Sequence, residues 1–171
     1  MWKVTLRDGR KLTLRFLTAN DEERLFKLFS SMSNEALKWS RAPYTIDMVK
    51  RWIDNVPRSV PLVAEYDSRI VGIAVIFKFP DQSRKGMGDI AIYLHQDFHH
   101  VGLGTAMTER LLQLATKEKM HRISLTVVKE NTIALALYKK FGFQIEGISK
   151  DAFYACDGKY HDVVNMGLIL H

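Results

Sequence analysis

The sequence predicts an α/β chain, one mixed β-sheet with helices on its faces. Three observations carry that prediction. Short apolar stretches such as "IVGIAVIFKF" and "RISLTVV" have strand composition. Between and around them lie segments of helical period, above all "GTAMTERLLQLATKE" and "NTIALALYKKFG". No repeat, low-complexity tract or Gly/Ser linker divides the 171 residues, so residues 1–171 read as a single domain with a sizeable core.

The elements follow in order. "VTLRDGRKLTLRF" reads as two strands around Asp8-Gly9, a pair that tolerates the positive φ of a tight hairpin turn. In "NDEERLFKLFSSM" Asn20 is placed to cap a helix, with Glu23 three residues on, and Leu25, Leu28, Phe29 and Met32 share a face. A second helix starts at Thr45, carries Ile46, Val49, Ile53 and Val56 on one side, and ends at Pro57. Two strands, "PLVAEY" and "IVGIAVIFKF", flank the turn Asp67-Ser68-Arg69. "FPDQSRKGMG" is a polar loop and "DIAIYLH" a strand. The next helix has Met107, Leu111, Leu114 and Ala115 as its stripe. "RISLTVV" is a short buried strand. A helix from Asn131, its cap, closes at Gly142. "FQIEGISK" and "KYHDVVNMGLIL" are strands around Asp157-Gly158.

Apolar residues make up 47% and charged residues 26%, an ordinary globular balance. No apolar run reaches the roughly 18 residues of a membrane helix, so no membrane partner is expected. "MWKVTLRDGR" has charges where a signal peptide needs an apolar core, so the expected location is the cytoplasm. The lone Cys156 excludes an internal disulfide and sits in the turn-like "YACDGK". Net charge is 25 − 19 = +6, which suits an anionic ligand. Lys and Arg are spread rather than bunched, which argues against nucleic acid as the partner.

"HHVGLGT" joins a strand to a helix. A helix N-terminus offers free N–H groups and partial positive charge, and glycine lets an anion approach the backbone. The amides of Val101, Gly102, Leu103, Gly104 and Thr105 are spaced to converge on one point. By themselves these residues fit either an anion cradle or a plain strand-to-helix turn. A dinucleotide fingerprint needs a third glycine where Met107 stands, and no Walker A pattern is present. His95, His99 and His100 lack the further ligands of a metal set, so no metal is expected.

Two motifs bring a resemblance. Residues 99–104 stand where a first motif has Gln or Arg, two residues, Gly, one residue, then Gly or Ala, and they match it at Gly102 and Gly104. "NTIALALYKKFGF", Asn131 to Phe143, places Asn131, Ala134, Leu137, Tyr138, Lys140, Gly142 and Phe143 at the positions of a second motif. On these the chain resembles the GNAT acyl-CoA N-acetyltransferases, over residues 4–170 and most densely over 87–143. The closing "DGKYHDVVNMGL" adds to the likeness. The departures are His99 and His100, where many members have Gln or Arg and then Gly. A histidine ring nitrogen can still donate to phosphate, so cofactor binding is expected to persist, weakening at high pH.

The resemblance implies a GNAT-like mixed sheet of about seven strands flanked by about four helices, splayed between the "DIAIYLH" and "RISLTVV" strands. It implies acetyl-CoA as co-substrate. The pantetheine arm then pairs with the backbone of Ile92, Tyr93 and Leu94, and the pyrophosphate sits on the amides of residues 99–105. Asn131, Ala134, Leu137 and Lys140 complete the cofactor set. The reaction is direct attack of an amine on the thioester, with the Leu94 N–H at the oxyanion and Tyr138 protonating the thiolate. Asp89, on the same side of its strand as Tyr93 by alternation, is the candidate base, with a water chain as the other option. Some members carry a glutamate where Thr126 stands. The acceptor pocket is expected between "SRAPYT" and "FYACDGKYH". Its amine is a protein N-terminus, a lysine or a small molecule. A non-catalytic acyl-CoA-binding module is the alternative, and a homodimer is a partner the resemblance allows.

Overall fold

A computed structural model describes residues 1–171. The chain opens with a hairpin, β1 (Trp2–Thr5) and β2 (Lys11–Phe16), that turns through Gly9 at φ 88°. Helix α1 (Glu22–Ser31) and helix α2 (Ile46–Asp54) follow. Next come β3 (Ser59–Tyr66), β4 (Arg69–Lys78) and β5 (Met87–Leu94), then α3 (Leu103–Lys117) and β6 (Arg122–Val128). Helix α4 (Thr132–Lys140) leads to the closing hairpin, β7 (Gln144–Tyr154) and β8 (Tyr160–Ile169).

All eight strands form one sheet in the order β1-β2-β3-β4-β5-β6-β8-β7. That is one more than the family resemblance implies, because the opening hairpin is fully part of the sheet. Every neighbouring pair is antiparallel except β5 and β6. The parallel pair needs a crossover, and α3 supplies it.

Burial explains the apolar runs. In β3, Val60, Leu62, Val63 and Ala64 are at most 1% exposed, so both faces of the strand are covered. One core layer packs Leu103, Met107, Leu111 and Ala115 of α3, with Tyr138 and Phe143, against the sheet. The other packs Leu25, Leu28, Phe29 and Val49 of the first two helices against Val63, Ile70 and Ile73. Helical spacing of Leu103, Met107, Leu111 and Ala115 makes the α3 stripe; Leu114 is only half-buried.

Two local expectations change. Asn20 does not cap α1, since it lies in a short 3-10 turn, Ala19–Asp21. Asp21 organises that end instead: its carboxylate accepts from the Thr18 N–H (2.9 Å) and from both Arg15 and Arg24 (2.8 and 2.6 Å). A buried carboxylate between two arginines outcompetes a solvent-facing amide. On α2, Thr45 caps as expected by accepting from the Met48 N–H (3.3 Å). Ile46, however, points to solvent while Val49 is buried.

The feature that shapes the site is a gap in the sheet. β5 and β6 pair at only three positions, Met87–Arg122, Gly88–Ile123 and Asp89–Ser124. Beyond them the strands part, while β5 stays paired to β4 and β6 to β8 along their lengths.

Candidate active site

The gap opens into a cleft of about 1680 Å³. Its walls can be built strand by strand. In an antiparallel ladder alternate residues face the partner strand. Phe79 donates to the Met87 carbonyl (3.0 Å) and His95 to the Val71 carbonyl (2.9 Å), so the odd residues of β5 face β4. Ile92 and Leu94 therefore turn their N–H and C=O groups into the gap. They offer the hydrogen bonds an extended ligand arm would need, as a missing strand would. The Leu94 carbonyl already accepts from His99 Nε2 at 2.9 Å. A carbonyl only accepts, so this ring nitrogen carries the proton. The expectation that the His99 ring donates to phosphate is thus redirected: one ring nitrogen orients Leu94, and only Nδ1 is left.

Past β5 the chain turns through His100 (φ 61°) and Gly102 (φ 90°), both left-handed. Gly102 is the N-cap of α3 and no side chain caps that end. The first-turn amides of Leu103, Gly104 and Thr105 are therefore free, and with His100 these residues line the cleft. The Val101 carbonyl is taken by the Arg7 N–H (3.0 Å). His95 approaches Asp97 (Nδ1 to Oδ2, 3.6 Å) and the rings of His99 and His100 lie 6.2 Å apart.

Helix α4 forms the opposite wall. Asn131 Oδ1 accepts from the Ala134 N–H (3.3 Å), which fixes the helix start. Ala134, Leu137 and Lys140 line the cleft with Tyr138. The Tyr138 ring packs edge-on against Phe143 at 5.4 Å. Burial alone pushes its phenol well above the usual tyrosine range, and no protein group bonds the hydroxyl. It stands protonated and free to donate at neutral pH.

Asp89 sits where β5 and β6 last touch, accepting from the Ser124 hydroxyl. It lines the same cleft as Tyr138 and, by alternation, shares the strand face of Tyr93. That face is aromatic. Tyr93, Phe29, Tyr44 and Trp52 pack with ring centres 4.4–6.1 Å apart. Burial first, then Tyr44, raises the Tyr93 phenol beyond its ordinary value. The two regions expected to form an acceptor pocket meet here. Trp39, the residue immediately before "SRAPYT", lies 5.0 Å from the His161 ring. His161 is held by Asp157 (2.8 Å) and Glu130 (3.2 Å), and these carboxylates raise its pKa. Sequence reasoning did not single out Arg7, Trp39 or Trp52, and it held His161 only as the last residue of "FYACDGKYH". Each is brought to the cleft by pairings far along the chain. Cys156 is exposed on the β7–β8 turn.

The family profile described as "Acetyltransferase (GNAT) domain" matches residues 14–164. A Bacillus subtilis protein, YdaF, provisionally named a ribosomal N-acetyltransferase, is 23% identical over 176 residues, 96% of this chain and 94% of its own. The L-amino acid N-acetyltransferase AaaT of Escherichia coli is 31% identical over 110 residues, 63% of this chain and 67% of its own. Among solved structures, a phosphinothricin acetyltransferase of Sinorhizobium meliloti in complex with acetyl-CoA superposes with a TM-score of 0.81 at 20% identity. The superposition covers 93% of this chain and 88% of that one. No helix is long and apolar enough to cross a membrane.

Proposed function

The chain belongs to the GNAT acetyltransferase family, and on that premise we propose that it transfers an acetyl group from acetyl-CoA to a primary amine by direct attack. The observation that carries this reading is the gap between β5 and β6. It has an unpaired Leu94 N–H on one wall and the free Tyr138 hydroxyl on the other.

Acetyl-CoA supplies an activated acyl thioester. Ile92 and Leu94 hold its arm by backbone hydrogen bonds, with Tyr93 holding the strand in register on β4. The amides of residues 101–105 meet the pyrophosphate, with His100 and Lys140 at the rim. Fixing donor and amine together removes a barrier of up to about 7–11 kcal/mol in the best models. The Leu94 N–H meets the negative charge that builds on the carbonyl oxygen. Tyr138 gives its proton to the departing sulfur.

Asp89 takes the proton of the incoming ammonium, directly or through water. A lysine ε-amine with a pKa of about 10.4 needs about 4–5 kcal/mol to be neutral at pH 7, and an α-amine near 8 needs only about 1. A single solvent-exposed carboxylate therefore suits an α-amine or a small-molecule amine better than a lysine. The aromatic wall of Tyr44, Trp52 and Tyr93 supports an acceptor with an apolar body beside its amine.

Tyr138→Phe tests the assignment. It lowers kcat by about 10²-fold with acetyl-CoA affinity unchanged, because only the proton donor is lost. A fall in kcat below about threefold removes Tyr138 from the chemistry.

A further inference from the structure

The first hairpin turn carries two arginines with different surroundings. Arg10 is fully engaged. Its Nε bonds Asp8 (2.7 Å), another guanidinium nitrogen donates to the Asp97 carbonyl (2.7 Å), and its Cζ lies 4.0 Å from the centre of the Phe98 ring. Arg7 is anchored only by its backbone, whose N–H donates to the Val101 carbonyl (3.0 Å). Asp8, the carboxylate next to it, is taken by Arg10. The Arg7 guanidinium has no acceptor of its own. It lies over the start of α3: a Cβ on Gly102 would meet Arg7 Nε at 3.3 Å and Nη2 at 3.9 Å. The hairpin is thus pinned to the 97–101 segment at three points, and a free guanidinium is held against the uncapped helix end.

We propose that Arg7 supplies the side-chain cation for the acetyl-CoA pyrophosphate, in place of the charge that the loop lacks at residue 99. This rests on the acetyltransferase reading above. The geometry fits the role. A guanidinium presents paired donors to phosphate oxygens and keeps its charge at any working pH. Free amides of Leu103, Gly104 and Thr105 approach the same anion from the helix side. Glycine at 102 has a second reason beyond its φ of 90°, since a Cβ there would lie 3.3 Å from Arg7 Nε and crowd the guanidinium.

Calorimetric titration of the wild type, Arg7→Gln and Arg7→Lys with acetyl-CoA and with 3′-dephospho-acetyl-CoA tests this. Arg7→Gln weakens both ligands by the same factor, about tenfold, and Arg7→Lys by less. Thermal melting is unchanged, because the side chain holds no other protein group. Affinity within about twofold of wild type for Arg7→Gln overturns the proposal. So does a loss seen only with the 3′-phosphorylated ligand, which would place the contact elsewhere on the nucleotide. A wild-type chain that binds neither ligand overturns the acetyltransferase reading itself, and this proposal with it.

Discussion

His99 and Asp21 show how much a single side chain can decide. His99 stands where the family motif has Gln or Arg, yet its Nε2 is committed to the Leu94 carbonyl. That hydrogen bond persists in the neutral ring. His99→Ala should therefore lower kcat about fivefold, the worth of one hydrogen bond, by loosening Leu94. The same substitution should leave acetyl-CoA affinity at its wild-type value at both pH 6 and pH 8; a loss of affinity at pH 6 would return His99 to the phosphate. Asp21 is fully buried between Arg15 and Arg24. Burial alone would raise its carboxyl, but the Arg15 and Thr18 hydrogen bonds outweigh it and hold the pKa at about 2. A depressed carboxyl stabilises above its unfolded value near 3.9, and the contribution is lost as pH falls from about 4 to 2. Asp21→Asn should remove about 2 kcal/mol at pH 7, the worth of that depression, leaving Glu65 as the carboxylate partner of Arg15 and Arg24. Urea melts showing a loss under about 1 kcal/mol would contradict that.

Elements place these side chains, and the loop between β5 and α3 is the most constrained of them. Gly102→Ala forces a left-handed residue with a Cβ, about 1–2 kcal/mol of strain, and crowds Arg7. The variant should melt lower and bind acetyl-CoA more weakly; unchanged binding would mean the helix end is not the anion site. Local elements of this kind were readable in the residues. The α3 stripe, the Asn131 cap and the Asp8-Gly9 and Asp157-Gly158 turns depend on neighbours within a few positions. The cap of α1 is not legible in helix spacing because Asp21 is chosen by Arg15 on β2. Ile46 was put on a buried face because periodicity does not say how far a short helix reaches over the core. Arg7 and Trp39 had no local signal at all. Their neighbours at the site are Gly102 and His161, and only the folded sheet brings them together.

At the scale of the whole molecule, the sheet is two antiparallel blocks, β1-β2-β3-β4-β5 and β6-β8-β7, joined by three parallel pairings and then parted. One core layer carries α3 and α4 with Tyr138, and the other carries α1 and α2 with the aromatic wall. The gap connects the two faces, so a donor held from one side can meet an amine entering from the other. The family motifs forecast this gap, while the amine's identity depends on side chains that no motif covers. The central claim is turnover: the chain moves an acetyl group through the gap onto an amine. An acceptor screen tests it most directly, with acetyl-CoA and, in turn, peptides with free N-termini, lysine peptides, polyamines and amino acids. Released thiol and acetylated amine are both measured. One class, an α-amine or a small amine, should give thiol and acetylated product in equal amounts. Acetyl-CoA binding with no acetylated product from any class would contradict it and make the chain an acyl-CoA-binding module.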